Sequence, residues 1–239
     1  MNIVHVGAHG DDEARALGTL IKYRNMGGHK ITLILTTNSD KGFSFDTHTL
    51  YDQVAAIRDQ EMRAVADALG FGYICLGAAD EYLYDTPEMR LKLIDALRAC
   101  QADLIFTDWT SEYNLDHSTT SRLVFQAAMN SILASMQTDH PALRVTPKIF
   151  YCPPHGADMD FEGTHFVELS KEIVEEAARA IRLHESQVRV FQQFFGADLG
   201  DIMVREPARR NGARVGVPYA DVFRPCLASR RTPLANMLP

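Results

Sequence analysis

Five consecutive residues, His9-Gly10-Asp11-Asp12-Glu13, set an imidazole and three carboxylates directly after the apolar run 2–8. A neutral imidazole and a carboxylate are good ligands for Zn²⁺ or a similar divalent ion. A catalytic zinc takes about three protein ligands and keeps one position for water, whose pKa it lowers to roughly 7. His9 and Asp12 can converge if the chain turns sharply between them, and Gly10 is expected to carry the unusual backbone conformation. A third ligand has to come from another loop, and Asn-Leu-Asp-His at 114–117 offers His117. Asp11, adjacent to Asp12 yet pointing elsewhere, would be free to take a proton from water. The same acids equally suit a helix start favoured by the macrodipole, so spacing alone leaves both readings open.

What must position these residues is an alternation of strands and helices. Residues 2–8 (NIVHVGA) are β-branched and almost continuously apolar, as in a parallel strand covered on both faces. Similar runs occupy 30–38, 72–77, 102–109 and 147–153, with a candidate edge strand at 165–170. Helical spacing fills 13–27, 51–70, 86–100, 116–136 and 170–195, and Thr86-Pro87 has the chemistry of an N-cap and first helical residue. The pattern predicts an α/β fold: a Rossmann-like, doubly wound, mainly parallel sheet flanked by helices, in one domain over 1–239. Ligands of such sheets sit beyond the carboxyl ends of the strands, near the switch in strand order. The chemically able residues fall after those ends, on one rim.

Composition narrows the classes. The 239 residues are 46% hydrophobic and 23% charged, which is ordinary globular usage. A net charge of −7 disfavours nonspecific binding to nucleic acid. Cys75, Cys100, Cys152 and Cys226 are scattered with no C-x-x-C pair, the pattern of reduced thiols in a cytoplasmic protein. MNIVHVG has no basic region leading into a long apolar stretch, so no secretion signal is expected, and no apolar run approaches the ~18 residues of a membrane span. There is no GxGxxG or Walker-type loop, so no nucleotide cofactor is expected. Association into a homo-oligomer is left open.

The segment AHGDDE (8–13) resembles the AHPDDE signature of the LmbE-like, or PIG-L, family of zinc-dependent N-acetylglucosaminyl deacetylases, and NLDH (114–117) its second motif, usually HPDH. Further similarities lie in LTTNSDKG (35–42), the Arg-x-x-Glu helix from Arg58, LGAADEYL (76–83), LHESQ (183–187) and PYADVF (218–223). The resemblance implies His9, Asp12 and His117 as Zn²⁺ ligands and Asp11 as general base. Arg58 and Asp80 match positions that contact sugar hydroxyls, and their chemistry agrees: a fork of donors and an acceptor-rich partner for a diol. The competing expectations are an Arg58–Glu61 surface pair and a turn-stabilising Asp80. The implied reaction is metal-assisted hydrolysis of the N-acetyl group of a small-molecule amino-sugar conjugate, yielding acetate and free amine.

Two departures stand out. Gly10 replaces the family's proline, and Asn114 stands where a histidine usually assists the oxyanion or leaving group. Asn114 can donate a hydrogen bond to an oxyanion but cannot act as an acid near neutral pH. Tyr113, Glu112 and His155 are substitutes with no compelling signal, and a lone loop histidine such as His155 is more often incidental. His5 is expected to pack in the core, and His184 carries no usable signal. The arginines of 205–216 are expected in a solvated loop, and 218–225 is structural by default. Two rival readings share these residues: hydrolysis of another N-acyl group or non-sugar amide, and non-catalytic sugar or metal binding.

Overall fold

The computed structural model describes residues 1–43, 46, 48–155, 160–228 and 238–239. Five parallel strands form the centre of the sheet: β1 (Asn2–Gly7), β2 (Lys30–Thr37), β3 (Gly72–Ala78), β4 (Leu104–Thr107) and β5 (Lys148–Tyr151). Two further strands, β6 (His165–Glu168) and β7 (Ala220–Pro225), are antiparallel additions, giving the order β3-β2-β1-β4-β5-β7-β6. The 165–170 run is thus an edge strand as expected. The late segment 218–225, treated only as structural, supplies the strand that joins it to β5.

Because side chains alternate across a strand, each central strand feeds two cores. Ile3, Leu33, Leu35, Leu104, Phe106 and Phe150 face one side, against α1 (Leu17–Met26), α2 (Tyr51–Leu69) and α5 (Lys171–Ile181). Val4, Val6, Ile34, Ile105 and Ile149 face the other, against α3 (Pro87–Ala99) and α4 (Leu115–Asn130). Helix α6 (Glu185–Phe195) follows α5, and α7 (Glu206–Val215) precedes β7. His5 lies on the first face, 1% exposed, and burial pushes its pKa down to about 4, so it packs as a neutral ring. Among the described residues no helix is long and apolar enough to cross a membrane.

Three local expectations are corrected. The acids at 11–13 do not open α1; they belong to a separate 3₁₀ turn, Asp12–Arg15, and α1 begins at Leu17. Helix α4 ends at Asn130, not 136, because Arg98 draws the chain away: its guanidinium donates to the carbonyls of Ser131, Leu133 and Met136 at 2.7–3.0 Å. The arginine-rich 205–216 stretch is helix α7, not a loop. Its glycine, read as a loop signal, serves close packing, since a Cβ on Gly212 would lie 2.6 Å from the Val217 carbonyl oxygen. Arg205 is also paired, with Glu175 and with Asp201 at 2.6 Å.

The strand order reverses between β1 and β4. The loops that leave their carboxyl ends carry His9–Glu13 and Asp108–His117, so two segments about a hundred residues apart open onto one crevice.

Candidate metal centre and active site

Asp12 is pinned by the chain that leads into it. The backbone N–H groups of Ala8 and His9 donate to its Oδ2 at 2.8 and 2.9 Å. Its Oδ1 faces His155 Nε2 at 3.0 Å, Arg15 Nη2 at 3.2 Å and His117 Nε2 at 3.3 Å. Burial alone would raise its pKa, but the charges of His117 and Arg15 hold the carboxyl well below the usual range. The turn that allows this is made by Asp11, not Gly10: Asp11 has φ 108°, a left-handed conformation uncommon outside glycine. Its N–H donates to Glu13 Oε2 at 2.9 Å, and Glu13 Oε1 is 2.8 Å from His184 Nε2, both residues fully buried.

His9 faces two ways. Its Nδ1 is 3.1 Å from His117 Nε2 and 3.9 Å from Asp12 Oδ2, while its Nε2 is 2.8 Å from Asp80 Oδ1 and 3.3 Å from Asp116 Oδ2. Both carboxylates are themselves anchored: Asp116 accepts the N–H groups of Glu81 and Leu83, and Asp80 that of Lys41. Burial opposes a charge on His9, yet its bonds to Asp116 and Asp80 raise its pKa well above the usual value. His117 Nδ1 lies 3.5 Å from Glu112 Oε1.

One donor atom each from His9, Asp12 and His117 lie within 4.8 Å of one another. A tetrahedral ion with bonds of ~2.0–2.2 Å holds its donors ~3.3–3.6 Å apart. The separations bracket that spacing: 3.1 Å between His9 Nδ1 and His117 Nε2, 3.3 Å from His117 Nε2 to Asp12 Oδ1, and 3.9 Å from His9 Nδ1 to the other oxygen, Asp12 Oδ2. The far nitrogen of each histidine also faces a carboxylate, which fixes ring orientation around a metal. The donor set therefore fits a divalent first-row cation.

The other residues singled out by sequence line the same cavity, of about 670 Å³. Asp11 presents its carboxylate there, with Oδ2 3.9 Å from Arg58 Nη2; burial pushes its pKa up to about 6 against the pull of Arg58. Arg58 is buried, not on the surface. It donates to Glu61 Oε2 at 2.8 Å, Ser186 Oγ at 3.1 Å and the Gly10 carbonyl. Asn114 caps α4, its Oδ1 accepting the Asp116 N–H at 2.7 Å while its Nδ2 donates to Glu81 Oε1 at 3.3 Å.

Three residues of the site had little or no signal in the sequence. His155, taken as incidental, is drawn in from the loop after β5, and its backbone N–H holds Glu112 Oε1 at 2.9 Å. His184 carried a signal only through LHESQ. Arg15 carried none, although it is the counter-ion of the site. Arg15 is 8% exposed; its guanidinium meets Asp108, Asp12 and Glu112 and also donates to the Asp12 carbonyl at 3.1 Å. Asp108 is fully buried, and burial pushes its pKa up to about 6 even against Arg15. Replacing Arg15 by methionine keeps much of the volume but leaves three buried carboxylates short of a cation. The expected loss is about 3–5 kcal/mol of folding stability, read by urea unfolding. A loss under about 1 kcal/mol would show that the carboxylates are compensated elsewhere.

Fold and site together define a Rossmann-like α/β protein with a His/Asp cation cradle at the sheet's switch point. The model of the PIG-L family, GlcNAc-PI de-N-acetylase, matches residues 4–128, and the chain belongs to that family. No curated protein matches the sequence. Among solved structures, N,N'-diacetylchitobiose deacetylase from Pyrococcus horikoshii is similar with a TM-score of 0.78 at 23% identity, covering 94% of this chain and 83% of that one. A conserved protein of Thermus thermophilus has the same score and identity, covering 98% and 99%. A 4-carboxy-2-hydroxymuconate hydratase from Pseudomonas putida has a TM-score of 0.75 at 17% identity, covering 98% and 100%. At these identities the structures share the fold.

Proposed function

We propose that this protein is a metal-dependent N-deacetylase, a single domain over 1–239, that removes the acetyl group from a small-molecule amino-sugar conjugate, with Zn²⁺ as its ion. The observation that carries the reading is the convergence of His9, Asp12 and His117 beside an unligated Asp11 in one cavity. Family membership and the fold shared with a diacetylchitobiose deacetylase support it.

His9 Nδ1, Asp12 and His117 Nε2 would hold the divalent ion, which would supply Lewis acidity toward an amide carbonyl and acidify water. Asp11 takes the proton of the attacking water, its buried carboxyl being more basic than an ordinary aspartate. The same group then returns the proton to the departing amine. Asn114 Nδ2, at the rim, is a hydrogen-bond donor within the cavity for the developing oxyanion. Arg58 holds the Gly10 carbonyl and so braces the turn that aims Asp11.

Asp80 acts through His9. With its Oδ1 2.8 Å from His9 Nε2, it keeps the proton on that nitrogen and leaves Nδ1 free to ligate. Asp80→Ala is expected to weaken zinc binding about 10- to 100-fold in chelator competition, with Asp80→Asn closer to wild type because its amide oxygen still accepts. Unchanged zinc affinity with a raised KM would return Asp80 to a purely sugar-contacting role.

The direct test is acetate release from a panel of N-acetylated amino sugars by zinc-loaded protein. Turnover with stoichiometric acetate supports the proposal. Absence of acetate from every sugar, with turnover of another N-acyl compound, favours the broader amidohydrolase. The hydratase that shares the fold makes hydration of an unsaturated acid the appropriate control reaction.

A further inference from the structure

The cavity-facing stripe of α6 changes character along its length. Gln187, Phe191 and Phe195 are spaced by four, so they share one helix face and climb ~6 Å per step. All three line the cavity. Gln187 sits at the floor, 7% exposed, its amide donating to the Gly42 carbonyl at 3.0 Å and to Ser186 Oγ at 3.2 Å. Phe191 packs half-buried against the core, with its ring 5.3 Å from that of Phe195. Phe195 ends the helix at 66% exposed. Ile202 and Met203, from the turn before α7, line the same cavity.

The polar floor serves an acetyl group and sugar hydroxyls, and the C–H face of one pyranose can stack on a single ring; two phenylalanines with Ile202 and Met203 extend the apolar lining beyond that one contact. A large exposed aromatic beside a polar site marks a surface that ligand covers. The cavity, about 670 Å³, is the size that takes a drug-sized ligand. Resting on the deacetylase reading, we propose that the amino sugar handled here carries an aryl aglycone. Its aromatic group lies along Phe191 and Phe195, facing Ile202 and Met203, while the acetamido end reaches the floor. Offset or edge-to-face stacking then adds to the burial of both rings.

The experiment compares kcat/KM for acetate release from methyl and phenyl β-N-acetylglucosaminides, in wild type, Phe195→Ala and Phe191→Leu. The phenyl glycoside is expected to be preferred by about 10- to 100-fold, mainly through KM, and Phe195→Ala to reduce the ratio below about threefold. Equal kcat/KM for the two glycosides in wild type overturns the proposal. So does a preference that survives both substitutions. If neither glycoside releases acetate, the deacetylase reading is decided by the wider amino-sugar panel, and calorimetric titration of the same two compounds decides the aglycone site separately. Tighter phenyl binding that Phe195→Ala abolishes sustains it, and equal binding overturns it. A change in oligomeric state in Phe195→Ala with the preference intact assigns the exposed ring to self-association and overturns the proposal as well.

Discussion

His117→Ala is expected to hold less than about a tenth of the zinc retained by wild type and to lose at least about a thousandfold in acetate release. The substitution leaves two protein ligands, one of them Asp12, whose Oδ1 then faces only Arg15 and His155. Thermal unfolding with and without zinc provides a reading independent of turnover. At a hundred times its Kd, zinc should stabilise the wild type by about 2.7 kcal/mol, and the variant by almost nothing. Wild-type protein that neither retains zinc nor unfolds later in its presence would remove the metal centre from consideration.

The second large effect separates base from ligand. Asp11→Asn is expected to keep full zinc content and lower kcat by about 10²- to 10⁴-fold with little change in KM. Asparagine is the right replacement because Asp11 sits at φ 108°, where a short polar side chain is tolerated and alanine would add backbone strain. The amide cannot take the proton, so the turn survives and the chemistry does not. Turnover within about tenfold of wild type would assign the proton transfer to another group, and His155 and Tyr113, both lining the cavity, would be next.

The two substitutions bracket the chemistry, and they depend on supporting residues of unequal visibility. His9, Asp12 and His117 could be selected from the chain because strand ends in a doubly wound sheet share a rim, and the two motifs lie after β1 and β4. Arg15 could not. Only the fold brings Asp108 and Glu112 to its guanidinium. His155 could be named only as a weak substitute for the missing histidine: its place depends on the reach of the β5 loop over Asp12, which no spacing in the chain encodes. Asp80 was visible as a site residue, but the partner that takes its oxygen was not.

Local chemistry therefore determined much of this protein. Apolar continuity and β-branching specify the five parallel strands, Thr86-Pro87 starts α3, and the two short polar motifs mark the site. Tertiary structure decided the rest: the antiparallel β7 between β5 and β6, the helical state of 206–215, the turn carried by Asp11, and the pairing of each buried charge. The physical reason is range. Strand and helix preferences arise among neighbours a few residues apart. The protonation and orientation of a buried group depend on which distant charges burial sets beside it.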